Sequence, residues 1–382
     1  MKLKQTSEDF IVDEIYDIEK FKEKNEEKKL DYYYFKLTKK DYNQLRALAL
    51  VAESFNTSSK LIHMAGTKDK TGITSQLISV YGIKEENFEK NLEHFNSTFK
   101  DLNLEFIGKF KGRLNLGDNN GNRFSIIIRD LTKEDILILR KNFEEIKIKG
   151  VLNYFDEQRF GYAGNSHIIG KYILKNEVEK AVYEILTSLP ENPTENLKVY
   201  VDFLKENFEK IKNQDKEIFE KIVEITPKFL SEQKEMITHL MKYRNDFPGS
   251  FRKLHKKLRT LYINAYQSYI FNETITELNK RNILDNYDEL SLIDSNLEFD
   301  EIIKPIVLNI LNNDEITNQN LNLPSMPELK IFSNKRKTRN YPKNLELFTE
   351  ENDELNENRL KIKITFELGS GEYATNVIKQ LF

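Results

Sequence analysis

The chain has 382 residues, enough for one large or two ordinary domains, and 39% of them are hydrophobic, ample for a core. It contains no Cys, which excludes disulfides, zinc–thiolate sites and cysteine nucleophiles and fits an intracellular protein. Against 59 Lys+Arg stand 62 Asp+Glu, a formal net charge of -3, so bulk attraction to a polyanion is excluded and any nucleic-acid site must be a local basic groove.

Taken in chain order, Asp9 to Ile15 and Tyr32 to Leu37 are short β-branched and aromatic runs that predict strands, separated by a charged stretch, Glu19 to Lys29, that predicts a solvated loop. Tyr42 to Phe55 carries Leu45, Leu48, Ala52 and Phe55 at helical spacing. Gln76 to Tyr81 predicts a strand directly after a Gly-bounded turn. Arg123 to Arg129 places Phe124, Ile126 and Ile128 on one face, and Lys361 to Phe366 alternates Ile362, Ile364 and Phe366 inward with Lys361, Lys363 and Thr365 outward. Strands at both ends predict one sheet closed by the two termini.

The middle is different. From about residue 171 to 284 helical periodicity dominates, and Leu254, Leu258, Leu261, Ala265 and Tyr269 mark one apolar stripe of a long helix. Residues 285 to 344 are rich in Asn, Asp and Glu and broken by Pro305, Pro324, Pro327 and Pro342. The pattern predicts an α+β core of residues 1–170 and 347–382 interrupted by a mainly helical insertion, residues 171–346. The first residues hold no apolar run of signal-peptide length, and nothing approaches the ~20 apolar residues of a membrane span, so a soluble, cytoplasmic protein without a membrane partner is expected.

Candidate groove walls are the basic runs Lys109-Phe110-Lys111-Gly112-Arg113, Arg252-Lys253-Leu254-His255-Lys256-Lys257-Leu258-Arg259 and Lys335-Arg336-Lys337-Thr338-Arg339, each of which could equally be solvated surface. Five His residues stand without HxxxH or HxH spacing, so no metal site is expected. No G-x-x-x-x-G-K-[ST] or G-x-G-x-x-G cradle is present, so no nucleotide cofactor is expected, and Gly-x-Ser-x-Gly is missing. What remains is carboxylate chemistry without a cofactor.

The candidate carboxylate is Asp69, in Ala65-Gly66-Thr67-Lys68-Asp69-Lys70-Thr71-Gly72-Ile73-Thr74. On such a turn an Asp is commonly a turn-former. As a nucleophile or base it must be ionised at neutral pH, which the ordinary carboxylate range ensures and the flanking Lys68 and Lys70 favour.

This stretch resembles the active-site motif of the TruD family of tRNA pseudouridine synthases, and further segments resemble the same family in the same order. Ser7-Glu8-Asp9-Phe10-Ile11-Val12-Asp13-Glu14 is similar to its N-terminal motif, which implies a substrate-site role for Phe10, with Lys4 close by. Asn153-Tyr154-Phe155-Asp156-Glu157-Gln158-Arg159-Phe160-Gly161 resembles its most distinctive signature, in which Asn153 would support the catalytic centre and Phe155 would stack on the target base, with Arg159 a phosphate contact or an ion-pair partner. Asn264-Ala265-Tyr266-Gln267-Ser268-Tyr269-Ile270-Phe271-Asn272 matches the central helix, where Tyr266 and Tyr269 are read as packing residues. Gly371-Glu372-Tyr373-Ala374-Thr375 would bring the aromatic Tyr373 to the substrate. As lone aromatics, Phe10 and Phe155 would more often be core residues; the polar neighbours Asn153, Gln158 and Arg159 favour a wet stacking site.

Departures are few. Gly72 stands where Ala is usual, a small-for-small change; Asp118 stands where a His or small residue is usual; and Leu368-Gly369-Ser370 lacks the usual Pro, which predicts a more mobile loop. The resemblance implies the pseudouridine synthase fold (a mixed, mainly antiparallel sheet with flanking helices) with a large helical insertion domain, and RNA lying between the two. It implies a cofactor-independent isomerase, expected as a monomer, that binds tRNA and acts on a uridine, usually position thirteen of the D-arm. Asp69 would be the catalytic residue, and Phe10, Asn153, Phe155, Tyr373, Lys4, Lys68 and Arg159 would bind substrate. The carboxylate would attack the anomeric carbon or remove a ribose proton. Two alternatives stay open: a non-catalytic RNA-binding or RNA-folding protein on the same scaffold, and a glycosidic-bond hydrolase, which would need a second, acid–base carboxylate.

Overall fold

The computed structural model describes residues 1–23 and 30–382. The chain forms two compact units, Met1–Val151 with Asn340–Phe382, and Leu152–Arg339. The compositional boundaries at 171 and 346 differ from these because packing decides them. Leu152, Tyr154 and Phe155 already lie on the helical core of the second unit, whereas Leu345 packs on the sheet core of the first.

Among the described residues, nine strands of the first unit share one sheet: β1 (Phe10–Ile15), β2 (Asp31–Lys40), β3 (Ile62–Met64), β4 (Ile73–Val80), β5 (Leu102–Lys111), β6 (Gly121–Leu131), β7 (Lys343–Leu347), β8 (Glu351–Asn352) and β9 (Leu360–Leu368). The order is β7-β9-β6-β1-β4-β2-β5, with β3 added to β4 and β8 to β9. β1 and β4 run parallel, and the other pairs are antiparallel. The sheet is thus mixed and mainly antiparallel. Both ends of the chain enter it, but neither closes it: β1 is paired on both sides, by β6 and β4, and β9 lies between β7 and β6. Burying β1 in mid-sheet satisfies both rows of its backbone groups.

The alternation seen in the sequence builds one face. Phe124, Ile126 and Ile128 of β6 and Ile362, Ile364 and Phe366 of β9 are buried with helix Lys133–Lys149 and the C-terminal helix Ala374–Lys379. The longer helix is framed by local chemistry: Thr132 and Asp135 form a reciprocal capping box, and Lys147 and Lys149 occupy the last turn. The other half of the sheet, β2, β4 and β5, packs on helices Gln44–Ser54 and Phe88–Thr98.

Two expectations change. Leu45 is 74% exposed; Asn43 caps the helix, and its inward face is Ala47, Leu48, Val51 and Ala52. Glu19–Glu23 form a short helix in place of a loop, because Phe21 is buried against Tyr34 at 5.3 Å; the rest of that stretch, 24–29, lies outside the described residues.

The second unit is mainly helical around Lys256–Lys280. This helix is buried on more than one side from Tyr262 to Leu278, so a single stripe misdescribes it: Leu261 is exposed, and Leu254 precedes its first turn. Helix Ser166–Leu174 lies against it at Gly170, where an added Cβ would sit 2.2 Å from the Tyr262 carbonyl oxygen. Pro305 does not interrupt structure. It stands in the first turn of helix Ile303–Asn313, where a missing N–H costs nothing. Among the described residues no helix is long and apolar enough to cross a membrane.

Candidate active site

The loop from Ala65 to Gly72 joins β3 to β4 and is pinned along its length. The Ala65 carbonyl accepts from Gly117 N at 2.8 Å. Lys68 Nζ meets Glu14 Oε1 at 2.7 Å, both side chains buried, while Glu14 Oε2 accepts from the Leu77 amide at 2.9 Å. At the far end Gly72 N donates to Asp41 Oδ1 at 2.7 Å, and the Ser7 hydroxyl donates to Asp41 Oδ2. The Gly72 amide, then Ser7, hold the Asp41 carboxyl below its usual range.

Asp69 lies between these anchors with its side chain 48% exposed. Its backbone carbonyl accepts from Lys39 Nζ, and its Oδ2 lies 3.4 Å from Lys4 Nζ. The same Lys4 ammonium stands 3.9 Å from the centroid of the Phe10 ring, which is buried and meets Phe124 edge-on at 6.3 Å. The lysines attending Asp69 are therefore Lys4 and Lys39, not its chain neighbours. Lys68 turns to neutralise buried Glu14, and Lys70 is exposed. Phe10 is covered by the Lys4 ammonium, so a base could stack on it only after Lys4 swings aside.

Burial pushes the Lys39 ammonium down to about 8, against the pull of Asp69 and Asp41 and with the push of Lys68. A lysine lowered on folding costs stability while charged, and the cost fades as pH rises from the folded value towards the unfolded one. Unfolding free energy from urea titrations is therefore expected to rise by about 2 kcal/mol between about pH 7.5 and 9.5. Lys39→Met should abolish that rise; an equal rise in the variant would refute the assignment.

In the second unit Asn153, Phe155 and Arg159 come together. The Asn153 amide Nδ2 donates to the Lys337 carbonyl at 2.9 Å, and its Oδ1 and backbone carbonyl both accept from Arg336. The backbone of Phe155 is gripped by Asn272: N to Oδ1 at 2.8 Å, and Nδ2 to the carbonyl at 2.9 Å. The Arg336 guanidinium lies 4.0 Å from the Phe155 ring centroid, Arg159 lies at 5.3 Å, and Phe271 meets the ring edge-on at 5.6 Å. Arg159 is held by a hydroxyl, Ser268 Oγ at 3.0 Å, which leaves its charge uncancelled by that bond.

Comparison with known proteins decides the family. The model of tRNA pseudouridine synthase D (TruD) matches residues 1–290. A protein of Methanocaldococcus jannaschii named "Probable tRNA pseudouridine synthase D 2" is 32% identical, the match covering 100% of this chain and 92% of that protein. One of Methanococcus maripaludis, "Probable tRNA pseudouridine synthase D 1", is 30% identical over 100% of this chain and 99% of its own. The chain belongs to the TruD family of tRNA pseudouridine synthases. A crystal structure of a TruD protein from Methanosarcina mazei agrees in fold, with a TM-score of 0.81 at 27% identity, covering 100% of this chain and 93% of that one. Membership makes the chain an enzyme of the isomerase class with the α+β pseudouridine synthase fold.

Against the TruD pattern, the Gly at 72 is more than a small-for-small exchange. Its φ is +105°, and a Cβ there would stand 2.4 Å from the Phe10 carbonyl oxygen. Gly72→Ala is expected to cost about 1–3 kcal/mol in thermal unfolding and to shift the loop that carries Asp69. Asp118 has a local task, since its Oδ2 accepts from the Asn115 amide at 2.8 Å and closes the loop before β6. The loop lacking Pro is held by Glu372, whose Oε2 accepts from Gly369 N at 2.9 Å and whose amide donates to the Gly369 carbonyl at 3.3 Å. Tyr373 follows, half-buried, as the residue before helix Ala374–Lys379.

The predicted residues thus fall into two sets. Lys4, Phe10, Lys68, Asp69 and Tyr373 belong to the first unit, Asn153, Phe155 and Arg159 to the second. Sequence reasoning missed Lys39, Ser268 and Asn272, and it did not single out Arg336 within its basic run. The run at 335–339 and the Asn264–Asn272 motif carried the signal for three of them. Lys39, at the end of a strand with nothing to distinguish it from Lys40, carried none.

Proposed function

We propose that this chain converts uridine thirteen in the D-arm of tRNA to pseudouridine, without a cofactor, using Asp69 as its carboxylate. The observation that carries the reading is the setting of Asp69: an exposed carboxylate on a loop pinned at both ends, with the Lys4 ammonium beside it. The uridine is taken out of its stack and its bond from N1 to the ribose C1′ breaks. Asp69 either takes the C1′ position as nucleophile or removes the 2′ proton to give a glycal. The detached uracil turns and its C5 forms the new bond to C1′, displacing the Asp69 carboxylate from C1′ on the first route or, on the glycal route, as Asp69 returns its proton to C2′; the C5 proton is then lost to water while N1 gains one. Lys4 balances the carboxylate in the free enzyme and can release it when substrate arrives.

Phe10 and Tyr373 bound the substrate from the first unit; Lys68 supports it indirectly, by fixing the loop through Glu14. Asn153, Phe155 and Arg159 are read as the substrate-binding residues of the second unit, and residues 171–346 as the family's insertion domain. With guanidinium groups 4.0 and 5.3 Å from the Phe155 ring, a base can stack there once Arg336 moves off the ring, and the two charges can then neutralise phosphates. A hydrolase would need a second carboxyl able to act as an acid, and Asp41, the carboxylate on the same loop's hydrogen bonds, is held ionised instead.

The test is release of tritium from tRNA carrying tritium at C5 of its uridines, with the modified position mapped afterwards. Release at uridine thirteen is expected. Binding without release sinks the synthase reading in favour of an RNA-binding protein, and free uracil in the products points to hydrolysis.

A further inference from the structure

In the basic run 252–259 both arginines are spent on structure, because Arg252 and Arg259 share Glu328 at 3.0 and 2.7 Å. Its lysines are exposed, and one of them, Lys253, faces a concavity. Lys253 lines an open pocket of about 720 Å³ in the second unit together with Lys228, Lys234 and Lys242. All four are exposed, and among the described residues no carboxylate forms an ion pair with any of them. One acid, Glu235, shares the lining, so the pocket is strongly positive in a chain whose formal net charge is -3. Like charges are not gathered around a concavity without cost. An incoming anion relieves that cost, and more than one phosphate fits the volume.

The pocket is built by the link from Thr226 to Lys228, which follows helix Lys216–Ile225, and by helix Ser231–Lys242. Ser231 and Thr238 add hydroxyls to the lining. One wall is aromatic: Tyr243 is exposed, its ring 4.7 Å from that of His239, which Asp246 holds at 2.8 Å. A row of ammonium groups beside an exposed ring is the chemistry that binds a phosphodiester strand and stacks one of its bases. None of Asn153, Phe155, Arg159 and Arg336 lines this pocket.

We propose that this pocket is a second RNA site, which grips backbone phosphates of the tRNA outside the segment that is modified. The inference rests on the reading of the chain as a tRNA-modifying enzyme. The site adds affinity and chemical steps owe it nothing, so its loss raises KM and spares kcat.

The test replaces all four lysines by Gln in the full chain, with thermal unfolding to verify the fold, and measures tRNA binding by filter retention over a range of salt, alongside turnover. Weakening of about tenfold at moderate salt is expected, with the slope of log K against log salt reduced by about 3 and kcat unchanged. Tyr243→Ala should weaken binding with the slope intact. Unchanged affinity and slope in the lysine variant would overturn the proposal. So would inorganic tripolyphosphate binding tightly to the wild type while the variant keeps full tRNA affinity, which would make the pocket a small-polyphosphate site. Binding is read without turnover, so failure of the synthase reading would show separately, as absent tritium release with the affinity loss still present.

Discussion

Asp69→Asn is expected to lower tritium release from tRNA by at least about 10³-fold, with tRNA affinity changed by less than about threefold. Loss of a positioned base or nucleophile accounts for a factor of that order, since such groups contribute 10²–10⁴ or more. The substitution keeps shape and removes only charge. The loop's anchors are the Lys68–Glu14 pair, the Gly72–Asp41 hydrogen bonds and the bond from Lys39 to the Asp69 backbone carbonyl, all of which Asn retains; of these only the Lys39 ammonium feels the lost charge. The half-exposed contact with Lys4, at 3.4 Å, is worth little to folding. The thermal unfolding temperature should therefore fall only slightly, through the Lys39 ammonium, which separates a catalytic loss from a structural one. Equal release by the variant would show that another carboxylate does the work. Glu14 would be a poor replacement, buried as it is and bonded to Lys68 and the Leu77 amide.

How much of this was legible in the sequence follows from the range of each interaction. The alternation of β6 and β9 is local, and each strand read alone gave its inward face correctly. Strand order is not local: nothing near residue 10 reveals that β1 pairs with both β6 and β4. The loop of Asp69 was visible as a motif, but the partners of its charges were not. Chain adjacency suggested Lys68 and Lys70, whereas folding brings in Lys4 and Lys39 and sends Lys68 to Glu14. The basic runs were visible too, but charge counting cannot tell a spent arginine from an available lysine. Lys109 pairs with Glu85 and Lys111 with Asp31, which removes most of the first run from consideration, and Arg339 is taken by Asp285.

Asp9 and Arg129 illustrate the largest structural effect hidden from the sequence. Asp9 sits inside the N-terminal motif, directly before Phe10, and Arg129 ends the alternating run of β6 as if it were a surface residue. Folding buries both. Arg129 Nε donates to the two Asp9 oxygens at 2.9 and 3.0 Å, Nη1 to Asp353 at 2.8 Å and Nη2 to Glu354 at 3.0 Å. One guanidinium thereby ties the N-terminal motif, the middle of the sheet and the segment after β8. Burial raises the Asp353 carboxyl, but the amides of Asp130 and Leu355, with Asn356 and Arg129, outweigh it and hold it at about 2. Its contribution to stability is complete above the unfolded value of 3.8 and is lost as pH falls towards 2. Arg129→Met, similar in bulk, leaves two buried carboxylates with no cation. A loss of about 3–5 kcal/mol is expected near neutral pH, measured by urea unfolding. The difference from wild type should narrow below about pH 5, because the stranded Asp353 carboxyl of the variant takes up a proton that the paired one refuses. Asp9→Asn added to Arg129→Met should recover part of the loss, since it removes one of the stranded charges. A loss below about 1 kcal/mol, or one that does not narrow in acid, would mean that the buried cluster is not the clasp its geometry suggests. Because Asp9 precedes Phe10, whose carbonyl packs on Gly72, loosening the clasp should also disturb the loop of Asp69, and activity should fall further than the unfolded fraction alone explains.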